Sequence, residues 1–352
     1  MGLPVGNILG FDIGGVNTKS VLVQISGDSV SVVGNRSRYF PFWQKSKEDL
    51  PALLKSMSEE LGATVDTPTC VSITAELSDV YTTKREGILH IVSALQQVFP
   101  LNSILIFTVE GSFKTPSELQ RNPMLAAAAN WVATSRWVAA RYPNCVFIDV
   151  GSTSVDIIPI LEGKIVSRGR TDLTRLQNGE LVYTGVLRAT IPSVSHVVPL
   201  RGGQCPVSFE KFASMADVHL ILNYISESQY TSETADGRPP TRDFSYARLA
   251  RIVCADLEEV TREEVSIFAR FLHQKQIEQV ANALREVTSR LPKHLPFVLT
   301  GLGADILGVP ACKNFDKNRH RILISESLGN DLDVMSSAYA VAWCYWQDFI
   351  LG

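Results

Sequence analysis

Apolar and polar positions change period several times along the chain, and each change marks an element. Asn7 to Ile13 is a short apolar run stopped by Gly14-Gly15, and Ser20 to Ile25 (SVLVQI) resumes it, which predicts two strands joined by a tight turn. A third strand is expected near Ser29 to Val33. From Lys47 to Leu61 the spacing becomes helical, with Leu50, Leu53, Leu54, Met57 and Leu61 on one face and Gly62 as the stop. Val71 to Thr74 then reads as a strand, Glu86 to Phe99 as a helix closed by Pro100, and Ser103 to Val109 as a strand. Pro123 to Tyr142 reads as an Ala-rich buried helix. Strands alternating with helices predict an α/β layered unit.

The pattern restarts at Asn144. CVFIDV, GSTS, VDIIPI and the turn Glu162-Gly163-Lys164, leading into IVSRG, repeat the opening order of strand, small polar turn and strand. Asp12-Ile13-Gly14 and Asp149-Val150-Gly151 share a D-x-G core, each after an apolar strand, 149 minus 12 or 137 positions apart. The expectation is a duplicated unit: a first domain over 1–142 joined by a terminal helix in 331–352, and a second over 143–330. The second carries an irregular insertion at 165–242, rich in Pro and Gly. Phe209 to Ile225, Tyr246 to Val260 and Glu263 to Leu291 read as helices, Phe297 to Leu299 and Arg321 to Ser325 as strands. Asp331 to Ile350 reads as a helix packing back across the domain junction.

Composition narrows the class. The 352 residues are 45% hydrophobic and 20% charged, close to an ordinary globular protein with ample core material. Thirty-three basic against thirty-six acidic side chains leave a net charge of -3, without the positive field that a nucleic-acid partner requires. The uncharged stretch Val334 to Gln347 is too short to span a membrane, and the start lacks a basic targeting region, so a cytoplasmic location is expected. The six cysteines show no C-x-x-C pair, which argues against structural zinc and for a reducing compartment. The six histidines share no spacing and receive no role, while Trp131, Trp137, Trp343 and Trp346 read as core or interface aromatics.

Three turns carry candidate chemistry. In the first, Gly14 and Gly15 allow positive φ and close backbone approach, Asn17, Thr18 and Lys19 add donors and a charge, and a phosphate or diphosphate is the natural guest. Asp12 would hold Mg²⁺ water or orient a nucleophile. The second turn, Gly151-Ser152-Thr153 after Asp149, offers the same physics from the other half, with Asp156 beyond it. The third, Gly301-Leu302-Gly303, follows a strand and leaves room for a flat or bulky ligand group, but it does not match G-x-G-x-x-G, and no Walker A loop occurs anywhere.

These turns, in this order, resemble the two phosphate motifs and the adenosine motif of the sugar kinase, Hsp70 and actin superfamily. That resemblance implies two ribonuclease-H-like α/β domains around a central cleft. Thr74-Ala75-Glu76-Leu77-Ser78-Asp79 and Thr83-Lys84-Arg85-Glu86-Gly87 are similar to the T-x-E-L-x-D and T-K-R-E-G motifs of its hydantoinase and oxoprolinase branch. Thr171-Asp172-Leu173 and the run Gly179 to Arg188 (GELVYTGVLR) resemble tetrahydromethanopterin-linked one-carbon pathway proteins, whose archaeal members are methanofuran-biosynthesis synthases. The resemblance implies a transferase that joins an aminomethylfuran methyl diphosphate to the phenol of a tyramine- or tyrosine-type acceptor, releasing pyrophosphate.

The residues suit that chemistry. Lys19, Lys84 and Arg85 are candidate clamps for the departing pyrophosphate, with Mg²⁺ held by Asp12 and Asp149. The phenol must lose its proton, and either Glu76 or Asp149 would take it. Tyr183 and Arg188 are candidate acceptor contacts through motif membership alone. Two other functions fit the same fold: an ATP-dependent hydrolase or small-molecule kinase, which would place ATP on the three turns, and a non-catalytic actin-like sensor or assembly protein. The aromatic terminal helix leaves room for a homodimer.

Overall fold

The computed structural model describes residues 6–27, 29–328 and 336–351. Its first strand, β1 (Gly6–Gly14), returns as β2 (Asn17–Ser26) and β3 (Ser29–Tyr39), then pairs in parallel with β4 (Thr69–Thr74). With β5 (Ile104–Phe107) and β6 (Phe113–Lys114) the sheet order is β3-β2-β1-β4-β5-β6. One face is covered by α1 (Leu50–Leu61) and α2 (Lys84–Val98), whose buried Leu54, Met57, Ile88, Ile91 and Leu95 pack with Leu9, Phe11 and Ile13.

The second sheet repeats this plan. β7 (Cys145–Val150) is antiparallel to β8 (Val155–Leu161), which also pairs with β9 (Lys164–Ile165) and β10 (Leu181–Val182). The hairpin β11 (Val197–Leu200) and β12 (Gly203–Pro206) stands apart. On its other edge β7 runs parallel to β13 (Phe297–Thr300), followed by β14 (Arg321–Leu323), giving β10-β8-β7-β13-β14. β7, β8 and β13 therefore occupy the places of β1, β2 and β4. The two halves are ribonuclease-H-like.

Between the sheets lie α3 (Asn130–Ala139), which precedes short α4 (Asp172–Gln177), and a helix at the end of the chain, α8 (Ser336–Trp346). Trp131, Trp137, Trp343 and Trp346 join apolar residues of both sheets in one core. Trp343 and Trp346 are thus buried within the chain itself, whereas Phe349 is 57% exposed. The outer face of the second sheet is covered by the 27-residue α7 (Arg262–Thr288). Among the described residues no helix is long and apolar enough to cross a membrane.

Several elements differ from the sequence reading. β3 runs to Tyr39 because its partner β2 continues to Asn17. The Ala-rich segment is broken: a 3₁₀ turn covers Pro123–Ala126, Ala128 takes φ +49, and α3 begins only at Asn130. The break lets Ala127 bridge Ile73 in parallel beyond the end of the sheet ladder. In the irregular insertion, α5 (Met215–Ile221) starts six residues after the expected Phe209, where the Asp217 carboxylate accepts the Ser214 N–H at 3.0 Å. The helix expected over Tyr246 to Val260 is α6 (Arg242–Ala250), ended by a 3₁₀ turn and Cys254 at φ +57. These short elements share a core with the start of α7, from Ala189 to Leu272, organised by the buried ion pair of Arg248 and Asp217 at 2.8 Å. The terminal helix is seen from Ser336; its expected start at Asp331 lies outside the described residues.

Candidate active site

The first turn follows from the β1–β2 hairpin. Asp12 is buried at the end of β1, and its carboxylate accepts hydrogen bonds from Ser72 Oγ at 3.1 Å, Thr74 Oγ1 at 3.5 Å and Ser337 Oγ of α8 at 2.6 Å. Lys19 is its cross-strand neighbour rather than a turn residue, so the charge lies beside Asp12. Thr18 faces the other way, buried, with its hydroxyl lacking a hydrogen-bond partner among the described residues. Contrary to expectation, neither Gly14 nor Gly15 takes positive φ. Their small size serves close approach instead: a Cβ on Gly14 would lie 2.7 Å from the Asn17 carbonyl oxygen, and one on Gly15 would lie 2.8 Å from Ser78 Oγ. The Phe42 N–H donates to the Gly15 carbonyl at 3.1 Å, strapping the segment after β3 onto this turn.

The T-x-E-L-x-D and T-K-R-E-G stretches pack on one another. Thr83 caps α2 by accepting the Glu86 N–H at 3.2 Å, and Gly87 lets the helix back onto the Glu76 backbone, where a Cβ would meet Glu76 Cα at 2.7 Å. Glu76 is 1% exposed, and one carboxylate oxygen, Oε2, has no hydrogen-bond partner among the described residues. Lys84 Nζ lies 3.6 Å from the other oxygen and 3.3 Å from the Asp172 carboxylate on α4 of the second half. Burial lifts the Glu76 carboxyl to about 7, although Lys84 pulls it down. Arg85 is exposed and makes no ion pair or hydrogen bond among the described residues.

The second turn is wrapped by the GELVYTGVLR run. The Gly151 carbonyl accepts the Val186 N–H at 3.1 Å, and the Ser152 carbonyl accepts the Leu187 and Arg188 N–H groups, both at 3.0 Å. Gly185 passes so close that a Cβ there would lie 2.4 Å from Ser152 and Thr153 backbone atoms. Behind it, Gln276 Nε2 donates to the Gly185 carbonyl at 2.9 Å, and His219 Nδ1 is 2.8 Å from the Val186 carbonyl, with His273 next in line at 3.3 Å. Gly301 takes φ +92 against the Asp149 carboxylate, and Gly303 packs against Val150 and Val186. The second and third turns are therefore in contact. Asp156 is engaged by the buried Arg175, which also stacks on Trp131.

The hydantoinase/oxoprolinase family model matches residues 67–326, about three quarters of the chain. The chain belongs to the hydantoinase/oxoprolinase family. Within it, the chain is 37% identical over 336 residues to a protein of Methanocaldococcus jannaschii, covering 95% of this chain and 96% of that one. That relative is named "(4-{4-[2-(gamma-L-glutamylamino)ethyl]phenoxymethyl}furan-2-yl)methanamine synthase". A protein of Methanococcus vannielii with the same name is 33% identical over 201 residues, covering 56% of this chain and 89% of that one. Among solved structures, nucleotide-free acetone carboxylase superposes with a TM-score of 0.54 at 12% identity, covering 97% of this chain and 70% of that one. It bears on the fold alone.

In this hydantoinase/oxoprolinase family member polar contacts among the described residues link the halves on the side of the turns. They include Lys84 to Asp172, the Tyr39 hydroxyl to Glu233 at 3.2 Å, and the Arg188 guanidinium 5.0 Å over the Trp43 ring. Tyr183, expected at the acceptor, is 65% exposed and makes no side-chain contact of this kind among the described residues. Sequence reasoning missed Trp43 and Glu233 altogether, and took Asp172 only as part of a motif. Their partners lie 145, 194 and 88 positions away (188 minus 43, 233 minus 39, 172 minus 84), so no local pattern announces them.

Proposed function

We propose that this protein is the transferase of methanofuran biosynthesis that joins an aminomethylfuran methyl diphosphate to the phenol of a tyramine-type acceptor. The C–O bond of the diphosphate breaks, its electron pair leaves with pyrophosphate, the phenol oxygen bonds to the freed methylene carbon, and the phenolic proton goes to a base. The observation that carries this reading is Glu76. A carboxylate buried to 1% exposure, with one oxygen unpartnered and its pKa lifted to about 7, is poised to accept a proton near neutrality. Two curated relatives named for an aryl furanylmethyl ether product support it. Of the two candidate bases, Glu76 and Asp149, this reading takes Glu76.

The glycine turns and Lys84 would cradle the diphosphate, with Lys19 contributing charge from beside Asp12. Among the described residues no group of three or more His, Cys, Asp or Glu gathers as a metal cage. The donors nonetheless fit Mg²⁺, which favours one or two carboxylates and takes the rest of its shell from water and phosphate. Asp12 and Asp149 would hold it, one from each half. When bound, the ion would neutralise charge developing on the leaving pyrophosphate.

Purified protein incubated with the furan diphosphate, Mg²⁺ and tyramine or γ-glutamyltyramine should yield the aryl ether and one pyrophosphate per ether, read by mass spectrometry and phosphate assay. Saturable ATP turnover without ether formation would instead assign the cleft to a nucleotide. Retention of the pathway product in cells carrying Asp12→Ala and Asp149→Ala would favour a non-catalytic role.

A further inference from the structure

Arg188 is held in an unusual way. Its main-chain N–H donates to the Ser152 carbonyl at 3.0 Å, which fixes it to the second turn. Its guanidinium reaches across to the other half and lies 5.0 Å over the Trp43 ring. Trp43 directly follows Phe42, whose N–H is bonded to the Gly15 carbonyl of the first turn at 3.1 Å. Arg188 thus links the second turn to the residue that follows the strap on the first.

That head has no carboxylate of its own. Among the described residues it forms no ion pair or side-chain hydrogen bond, although it is half-buried. Glu233, which shares the Tyr39 hydroxyl with this neighbourhood, forms no ion pair with Arg188; its carboxylate accepts from Tyr39 at 3.2 Å. A guanidinium held over an indole and free of any ion pair keeps N–H donors for an anion, and its fork can take two oxygens of a phosphate at once. Lys84, which would share the diphosphate, divides its charge between Glu76 and Asp172, whereas Arg188 is a cation with no carboxylate partner among the described residues.

We infer that Arg188 is a ligand of the leaving diphosphate rather than an acceptor contact, and that Trp43 is the positioning residue that aims it. The inference deepens the function proposed above and rests on it for the identity of the anion. It also makes the site complete only when the two halves meet, because each turn supplies one end of the Arg188–Trp43 pair.

The test is pyrophosphate binding with Mg²⁺, by calorimetry and by quenching of tryptophan fluorescence, with folding checked by circular dichroism. Arg188→Ala should weaken pyrophosphate at least tenfold and Arg188→Lys by less, since one ammonium replaces a bidentate fork. Trp43→Ala should weaken it several-fold while Trp43→Phe retains most of the affinity, and donor KM should rise in the same order with acceptor KM unchanged. Wild-type affinity in Arg188→Ala, or a rise confined to acceptor KM, overturns the inference. If the wild type binds pyrophosphate through Arg188 yet forms no ether, the diphosphate site stands and the proposed reaction falls.

Discussion

At Glu76, burial and neighbouring charge oppose each other, and the balance is measurable. Burial raises its carboxyl to about 7, Lys84 lowers it and Asp172 raises it. As the base, it must be ionised, so kcat/KM should climb with pH through about 7. Lys84→Met removes the lowering charge and should move that limb to higher pH, whatever it does to the rate. Glu76→Gln should erase the limb and cut the rate on the order of 10²–10⁴-fold, the usual worth of a general base; a limb that survives this change would assign the base elsewhere. For stability the sign is opposite to that of most carboxylates. The folded value lies above the ordinary 4.5, so Glu76's contribution is full below about 4.5 and is lost as pH rises through about 7. Glu76 and Lys84 were legible because their motifs are contiguous. Close approach at Gly14 and Gly15 was expected, but the neighbours it serves, and the work of Gly87, were not legible, since what a missing Cβ makes room for lies far along the chain or across a turn.

Elements, rather than residues, set the shape of the second turn. The run that wraps it is braced from behind by α5 through His219 and by α7 through His273 and Gln276. Burial holds His219 down to about 3 and His273 to about 4, so both are neutral in the fold. Depressed histidines contribute stability that is present above the ordinary 6.5 and lost as pH falls toward 4. The urea midpoint should therefore decline over that window, and His273→Leu should flatten the decline; an unchanged slope would remove this pair from the acid response. Strands and long helices could be read directly from apolar periodicity. The insertion could not, because its short helices start at caps such as Ser214 with Asp217, and its core depends on a buried ion pair that periodicity does not encode.

Across the whole molecule, the two halves were visible in the repeated D-x-G strands, but how they meet was not. α8 was expected to pack across the junction and does so between the two sheets, but it is apolar on nearly every side, so its sequence does not reveal which of its residues meets which half. On the cleft side the halves are joined by polar contacts that are partly exposed and therefore cheap to break, about 0.2–1 kcal/mol for a pair such as Lys84 and Asp172. Asp172→Asn should leave the melting temperature nearly unchanged. It should nevertheless shift the kcat/KM limb to lower pH, opposite to Lys84→Met, because Asp172 raises Glu76 from the far half. A limb that stays in place would mean that the halves do not communicate through this bridge. The inner helix has a further consequence, for the order of synthesis. A Cβ on Gly10 would collide with the Ala338 carbonyl oxygen, 328 positions later (338 minus 10), so the first strand is shaped for a helix translated long after it. At roughly 5–20 residues per second, that strand waits on the order of 15–65 s on the ribosome with its inner apolar face uncovered. The N-terminal half, although made first, is finished last.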